Sequence, residues 1–446
     1  MKNIEDFVKI VDGSPKVKAK AGFLKVLDSI LYQAVFEKDE NRKKAYLGAI
    51  KEIAKEEGVI PSSIQELYGE MGKNYPGFTV PAINLRGLTY DVARALFRKA
   101  LELDVGAFVL EIARSEIGYT SQRPLEYAAL ILAAALKEGW RGPVFIQGDH
   151  FQFSRKNFDK SPEQEVSYLK GLVKEAVEAE FYNLDIDAST LVDLTKPTVK
   201  EQQRPNFEKT AELAELIRTI EPKGITVSIG GEIGEIGGKN STPGEFRAFL
   251  DGFREVFKGG AGLSKISVQT GTTHGGVVLP DGTLAKVKID FDTLGALSRL
   301  AREEYGMAGC VQHGASTLPE EAFDMFPKVG AAEIHLATGF QNIIYDSPSL
   351  PNAFREEVYG FVKKEFAGER KEGETEEQFI YSTRKKALGS LKRKFWDLPG
   401  KAKSLIMKEL EERFAILFHK LKVVGTKKYV QENVKPLHIR HEIRLP

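Results

Sequence analysis

Seven histidines occur in this 446-residue chain, and four of them, His150, His274, His313 and His335, stand at or just after short apolar runs. Gly148-Asp149 precedes the first, Gly271-Thr272-Thr273 and Gly275-Gly276 flank the second, and Gly314-Ala315-Ser316 follows the third. Near His335 come Thr338 and Gly339, and other runs end in Asp185-Ile186-Asp187 or lead into Glu232. Neutral imidazole is the usual protein ligand of zinc, and three protein ligands with one open position make a catalytic centre rather than a structural one. Cobalt, manganese or iron would accept a similar set. One histidine alone at any of these positions reads as a core or surface residue; several, each after a different run, read as a site. Glycines beside His274 and His313 suit a backbone that a ligand approaches closely, and suit tight turns equally well.

Such a site requires that the runs be strands ending on one face. Eight runs qualify: residues 78–84, 107–112, 143–147, 181–186, 225–229, 266–270, 309–312 and 332–336. Amphipathic segments at helical spacing separate them, among them residues 90–103, 163–179, 207–220, 243–257 and 291–305. Eight strand-then-helix units predict an α/β fold with parallel strands and crossover helices, most simply a closed (β/α)8 TIM barrel. An open doubly wound sheet is the alternative. In a barrel the polar residues after each strand meet at the C-terminal mouth, where active sites form. The periodicity before Gly72–Gly77 is helical, and so is the Lys- and Glu-rich stretch after about Phe354. The expected organisation is an N-terminal helical extension over 1–77, the barrel over 78–345 and a C-terminal helical extension over 346–446. Leu405, Ile406, Leu410, Phe414, Leu417, Phe418 and Leu421 form one apolar stripe that needs a surface to cover.

The net charge of +1 gives no reason to expect a nucleic-acid partner. A single cysteine, Cys310, leaves no intramolecular disulfide and no multi-cysteine metal site. The first twenty residues have no continuous apolar core like that of a signal peptide, and no apolar stretch is long enough to span a membrane. A cytoplasmic protein without membrane contact is expected.

Taken together, the segments resemble the motif set of class II fructose- and tagatose-bisphosphate aldolases over about residues 78–340. Residues 78–84, FTVPAIN, are similar to that family's first strand. Residues 144–150, VFIQGDH, resemble its His-x-Asp-His strand with Gln147 in place of the first histidine, and Asp185-Ile-Asp187-Ala-Ser189 resembles Met-Ile-Asp-x-Ser. Residues 232–238, EIGEIGG, are similar to Glu-Leu-Gly-x-x-Gly-Gly. Gly271-Thr-Thr-His274-Gly resembles Gly-Thr-Ser-His-Gly, and His313-Gly-Ala-Ser316 resembles His-Gly-Gly-Ser. The resemblance implies one zinc ion per chain on His150, His274 and His313, with Glu232 as an alternate ligand and a monovalent cation as a further candidate. Asp149 would exchange a proton with the hydroxyl on the carbon that becomes the aldehyde, or else orient a histidine from behind. Asn84, Asp187, Gly275, Gly314, Ser316, His335 and Thr338 are the candidate substrate and phosphate contacts. The implied activity cleaves or forms a ketose phosphate through a zinc-stabilised enediolate, giving dihydroxyacetone phosphate and an aldehyde. A homo-oligomer is expected on the same ground.

Two departures bear on substrate. The family's mobile loop carries a glutamate after Gly-Gly, whereas Gly237-Gly238 is followed here by Lys239-Asn240-Ser241, leaving Glu235 and Glu245 as nearby substitutes. The family's Asn-x-Asp-Thr-Asp at the eighth strand is replaced by His335-Leu-Ala-Thr338-Gly339. A metal-dependent sugar or sugar-acid epimerase or isomerase is therefore an alternative reading, and a non-catalytic aldolase-like subunit is a third.

Overall fold

The computed structural model describes residues 4–11, 13–234, 238–271, 279–280 and 289–443. Eight parallel strands close on themselves: β1 (Val80–Asn84), β2 (Val109–Ala113), β3 (Gly142–Gln152), β4 (Asn183–Asp187), β5 (Ser228–Gly234), β6 (Lys265–Val268), β7 (Cys310–Gln312) and β8 (Glu333–Leu336). Each pairs with the next, and β8 returns to β1 in the register His335 to Ala82. Every apolar run of the sequence has become one strand, and the fold is a (β/α)8 TIM barrel. The open-sheet alternative fails because β8 and β1 are hydrogen-bonded.

The crossover helices follow the periodicity of their sequences. Thr89–Glu102, Pro124–Lys137, Pro162–Glu178, Val199–Ile220, Pro243–Val256 and Phe291–Tyr305 pack their apolar faces on the strands. Their starts carry ordinary signals: proline in the first turn of Pro243–Val256, and a capping box in which Thr242 and Glu245 satisfy each other's backbone N–H groups. After β7 the crossover shrinks to a 3-10 turn and the short helix Met325–Val329.

Both flanks are built onto this barrel. Residues 4–77 contain the helices Lys20–Phe36, Glu40–Glu56 and Gln65–Lys73, a hairpin of Val8–Val11 with Ser14–Val17, and a strand Val59–Pro61. That strand lies parallel to the start of β3, Val59 opposite Gly142, so the segment closes the barrel floor. The long C-terminal helix Gly400–Lys420 lies against Thr89–Glu102. Its stripe is covered as the spacing demands, with Phe414 packed on Phe340 at 5.1 Å between ring centroids and Phe418 on Phe108 at 6.2 Å. Leu405 is the exception and stays exposed. The tail then runs back under the floor, where Ile443 N–H donates to the Gly13 carbonyl at 3.0 Å. Among the described residues no helix is long and apolar enough to cross a membrane.

Candidate active site

Inward and outward residues alternate along a strand, so consecutive residues cannot ordinarily both face the mouth. β3 breaks that rule with a bulge: Gly148 pairs with Leu184 and Phe151 with Ile186, leaving one extra residue between them. Asp149 and His150 occupy the bulge, His150 with φ of 41°, and both reach the cavity. Gly148 permits the turn, because a Cβ there would lie 2.6 Å from the Phe151 ring and 2.8 Å from Leu184. β5 carries a second shift, between Glu232 and Gly234, at the carboxylate that faces His150.

His150 Nδ1 lies 3.1 Å from Asp187 Oδ2 and 3.0 Å from Glu232 Oε2. Its ring stands 4.2 Å from that of His313, centroid to centroid. His313 Nε2 meets Ser267 Oγ at 2.9 Å and lies 3.9 Å from Glu232 Oε2. Asp187 is pinned by the Ser189 N–H at 3.0 Å, by the Ser189 hydroxyl at 2.6 Å and by the Gln152 amide. Burial pushes the Asp187 carboxyl up, but these donors and His150 outweigh it and hold the group ionised. Glu232 goes the other way: burial and the neighbouring Asp187 push it up to about 7, with His150 opposing. Burial lowers the His150 imidazole, yet Glu232 and Asp149 raise it well above its ordinary range. Three carboxylates, Asp149, Asp187 and Glu232, thus crowd the His150 imidazole.

That crowding is what a bound cation relieves. Asp149, His150 and His313 each offer one ligand atom within 4.8 Å of the others, and so do His150, Asp187 and Glu232. Two imidazoles with surplus buried carboxylate suit a divalent transition metal. Asp187 behind His150 is the kind of carboxylate that fixes an imidazole for its metal. His274 and Gly275 lie outside the described residues, as does Glu235.

Above these groups opens a cavity of about 560 Å³. Gly314, Ser316, His335 and Thr338, four of the candidate substrate contacts, line it. Ser316 Oγ accepts from the Gly339 N–H at 3.1 Å, joining the segments after β7 and β8. Asn84 is placed differently. It is buried off the cavity wall, and its amide donates to Glu116 Oε2 at 2.7 Å, while Glu116 Oε1 holds Arg86 Nε at 2.6 Å. Arg86 lines the cavity and reaches Thr338 Oγ1 at 3.3 Å. Glu245 is also committed elsewhere, its carboxylate taken by the Thr242 N–H and hydroxyl at 2.8 Å each.

Sequence reasoning missed three cationic residues of the wall, Arg86, Arg114 and Lys385. Arg114 is paired with Glu165 and lies over the Tyr168 ring at 4.5 Å. Lys385 arrives from the C-terminal region, on a segment anchored by Arg384 to Asn342 Oδ1 at 2.8 Å and to Asp346. No motif marks these positions. Arg86 and Arg114 could have been found only as basic residues just after the first two runs.

A closed parallel barrel carries an imidazole- and carboxylate-rich cavity at the C-terminal ends of its strands, the place where TIM-barrel enzymes hold their active sites. The family model of class II fructose-bisphosphate aldolase matches residues 72–394. The chain belongs to that family, a lyase family that is generally metal-dependent. Among solved structures it is similar to a fructose-bisphosphate aldolase from Campylobacter jejuni, at 15% identity over 82% of this chain and 96% of that one, with a TM-score of 0.48. It is also similar to the YdjI aldolase from Escherichia coli K12 (15% identity, 76% and 99% covered, TM-score 0.43). A probable tagatose 6 phosphate kinase from Sinorhizobium meliloti 1021 gives 15% identity, 80% and 94% covered, and a TM-score of 0.51. At such identities only the last of these likenesses carries weight, and for the fold alone. No curated protein sequence matches the chain.

Proposed function

We propose that the protein is a metal-dependent aldolase that cleaves or forms a ketose phosphate, giving dihydroxyacetone phosphate and an aldehyde. The observation that carries this reading is the β3 bulge, which turns Asp149 and His150 together into the cavity beside His313 and Glu232. His150, His274 and His313 would hold one zinc ion, with Glu232 as a further ligand. The bound metal supplies a Lewis acid for the substrate's carbonyl and adjacent hydroxyl oxygens.

Asp149 takes the proton from the hydroxyl of the carbon that becomes the aldehyde, as the carbon–carbon bond beside it breaks. It is within reach of the cavity and is held by His335 Nδ1 at 3.1 Å. Gly314, Ser316 and Thr338 form one wall, and Arg86, Arg114 and Lys385 give the cavity the positive charge a phosphate needs. Asn84 acts behind that wall, through Glu116, on Arg86. The protein is taken to work in the cytoplasm as a homo-oligomer, and light scattering that found only monomer would remove the second half of that statement.

The test is elemental analysis of the purified protein, followed by assay of ketose phosphates and unphosphorylated ketoses with and without chelator. About one zinc per chain and chelator-sensitive release of a triose phosphate are expected. A metal-loaded protein that only interconverts isomers would replace the aldolase with an epimerase. That second reading draws on Glu245, whose engagement in a helix cap leaves it unsuited to the loop glutamate's work.

A further inference from the structure

The axis of the barrel is polar from floor to mouth. At the floor Tyr68, on Gln65–Lys73, donates its hydroxyl to Glu333 Oε2. Lys265 donates to Glu333 Oε1, to Asp185 Oδ2 at 2.9 Å and to Gln147 Oε1 at 2.8 Å. The Gln147 amide adds a donor to Glu333 Oε1 at 3.2 Å. His335 Nε2 reaches the same oxygen at 2.6 Å, and its Nδ1 faces Asp149 Oδ1 at 3.1 Å. Tyr68, Gln147, Lys265, Glu333, His335 and Asp149 are each 5% exposed or less, so the path is shielded from bulk solvent. The path from Tyr68 through Glu333 and His335 to Asp149 has no gap.

We infer that Tyr68, Lys265 and Glu333 are positioning residues for the carbon–carbon bond step, acting through His335 on Asp149. The N-terminal segment is thereby part of the catalytic apparatus as well as the barrel floor. This inference rests on the reading of Asp149 as the proton-transferring group. A carboxylate that accepts from four donors cannot rotate, and it locks the imidazole it holds at Nε2. The ring then has one orientation, with Nδ1 toward Asp149, and one oxygen of Asp149 is fixed relative to the cavity. A base displaced by even an ångström loses much of its rate advantage, so the orientation reaches turnover directly. A purely structural network would instead show itself in the melting temperature and leave turnover alone.

Tyr68→Phe removes one oxygen at the far end of this path. In the metal-loaded enzyme it should lower kcat about tenfold, in the range typical of groups that support a catalytic residue from behind. KM and bound metal should be unchanged. Glu333→Gln keeps the shape and should give at least the same loss. In protein labelled with 15N-histidine, the His335 Nε2 resonance, assigned by its disappearance in His335→Asn, should shift in Tyr68→Phe. Wild-type kcat in either variant, or an unmoved His335 resonance, would overturn the linkage. The aldolase reading fails separately, if the wild type releases no triose phosphate or Asp149→Asn is fully active. The resonance needs no substrate and tests the linkage in that case too.

Discussion

Two clusters of buried charge can be set side by side. Beneath the barrel, Glu180 receives Lys51 Nζ at 3.0 Å, Lys55 Nζ at 2.6 Å and His441 Nε2 at 3.2 Å, and Lys55 also meets Glu52 at 2.6 Å. Two lysines face two glutamates there. At the mouth, the ion-pair partners of Asp149, Asp187 and Glu232 among the described residues are imidazoles, with Glu111 close behind at 3.2 Å from His335. Burial pushes both Glu180 and Glu232 upward, yet Glu180 ends at about 2 because His441, Lys51 and Lys55 overcompensate. Glu232, with Asp187 adding to the burial, ends at about 7. Balanced charge under the floor joins the N-terminal helix, the start of β4 and the returning tail. The mouth, where carboxylates crowd His150, is where the proposed metal would sit.

If the clusters differ in this way, their variants should fail differently. Asp149→Asn should lower kcat by roughly 10²–10⁴-fold, the usual span for a positioned acid–base group, with little change in unfolding midpoint. Steady-state kinetics beside a thermal melt would check it, and a near-wild-type rate would end the case for Asp149. Glu180→Gln should do the reverse. It leaves buried Lys51 without its carboxylate and Lys55 with Glu52 alone, which costs about 3–5 kcal/mol of stability in denaturant titrations, while kcat of the folded enzyme stays as it was. Stripping the metal should remove about 2.7 kcal/mol if the metal had been present at a hundred times its dissociation constant. Because the clusters share no residue, this loss should add to that of Glu180→Gln within about 0.5 kcal/mol. A strong non-additivity would mean that the two regions are one unit.

A further expected effect is in acid. Glu180 titrates at about 2 in the folded chain against an ordinary 4.5, so as pH falls the unfolded state takes the proton first. The stability it contributes is complete above about pH 4.5 and is lost as pH falls through about 2. Stability measured against pH over that window should be flatter in Glu180→Gln than in the wild type. Equal slopes would show that Glu180 is not held low.

The barrel was legible because its strands are apolar on the face that the helices cover, and that face dominates the runs. The other face was passed over for the same reason. Glu111, Asp185, Lys265 and Glu333 sit at the first or third positions of their strands, where alternation turns them inward to the axis. Within mostly apolar runs such charges pass for strand ends. Gly230 is a further sign visible only in three dimensions: a Cβ there would lie 2.2 Å from Asp185 Oδ1 and 2.9 Å from Lys265 Cε, so its bare backbone makes room for the ion pair. His150 and His313 could be picked out because each follows a run, with glycine two residues before the first and directly after the second. The bulge that brings Asp149 and His150 to one side has no signature beyond Gly148. Arg86 and Lys385 enter the site through tertiary contacts across 252 or more positions or from a distant segment, which no local pattern records.

The left-handed backbone of His150 has a bearing on how the protein could decay. A side chain at φ of 41° is tolerated rather than preferred, and glycine there would relieve of order 1 kcal/mol. A copy of the gene released from the proposed chemistry would therefore gain stability from glycine at a residue that chemistry uses. Among descendants of this barrel, glycine at position 150 would be the early mark of a retired enzyme, legible from a single codon.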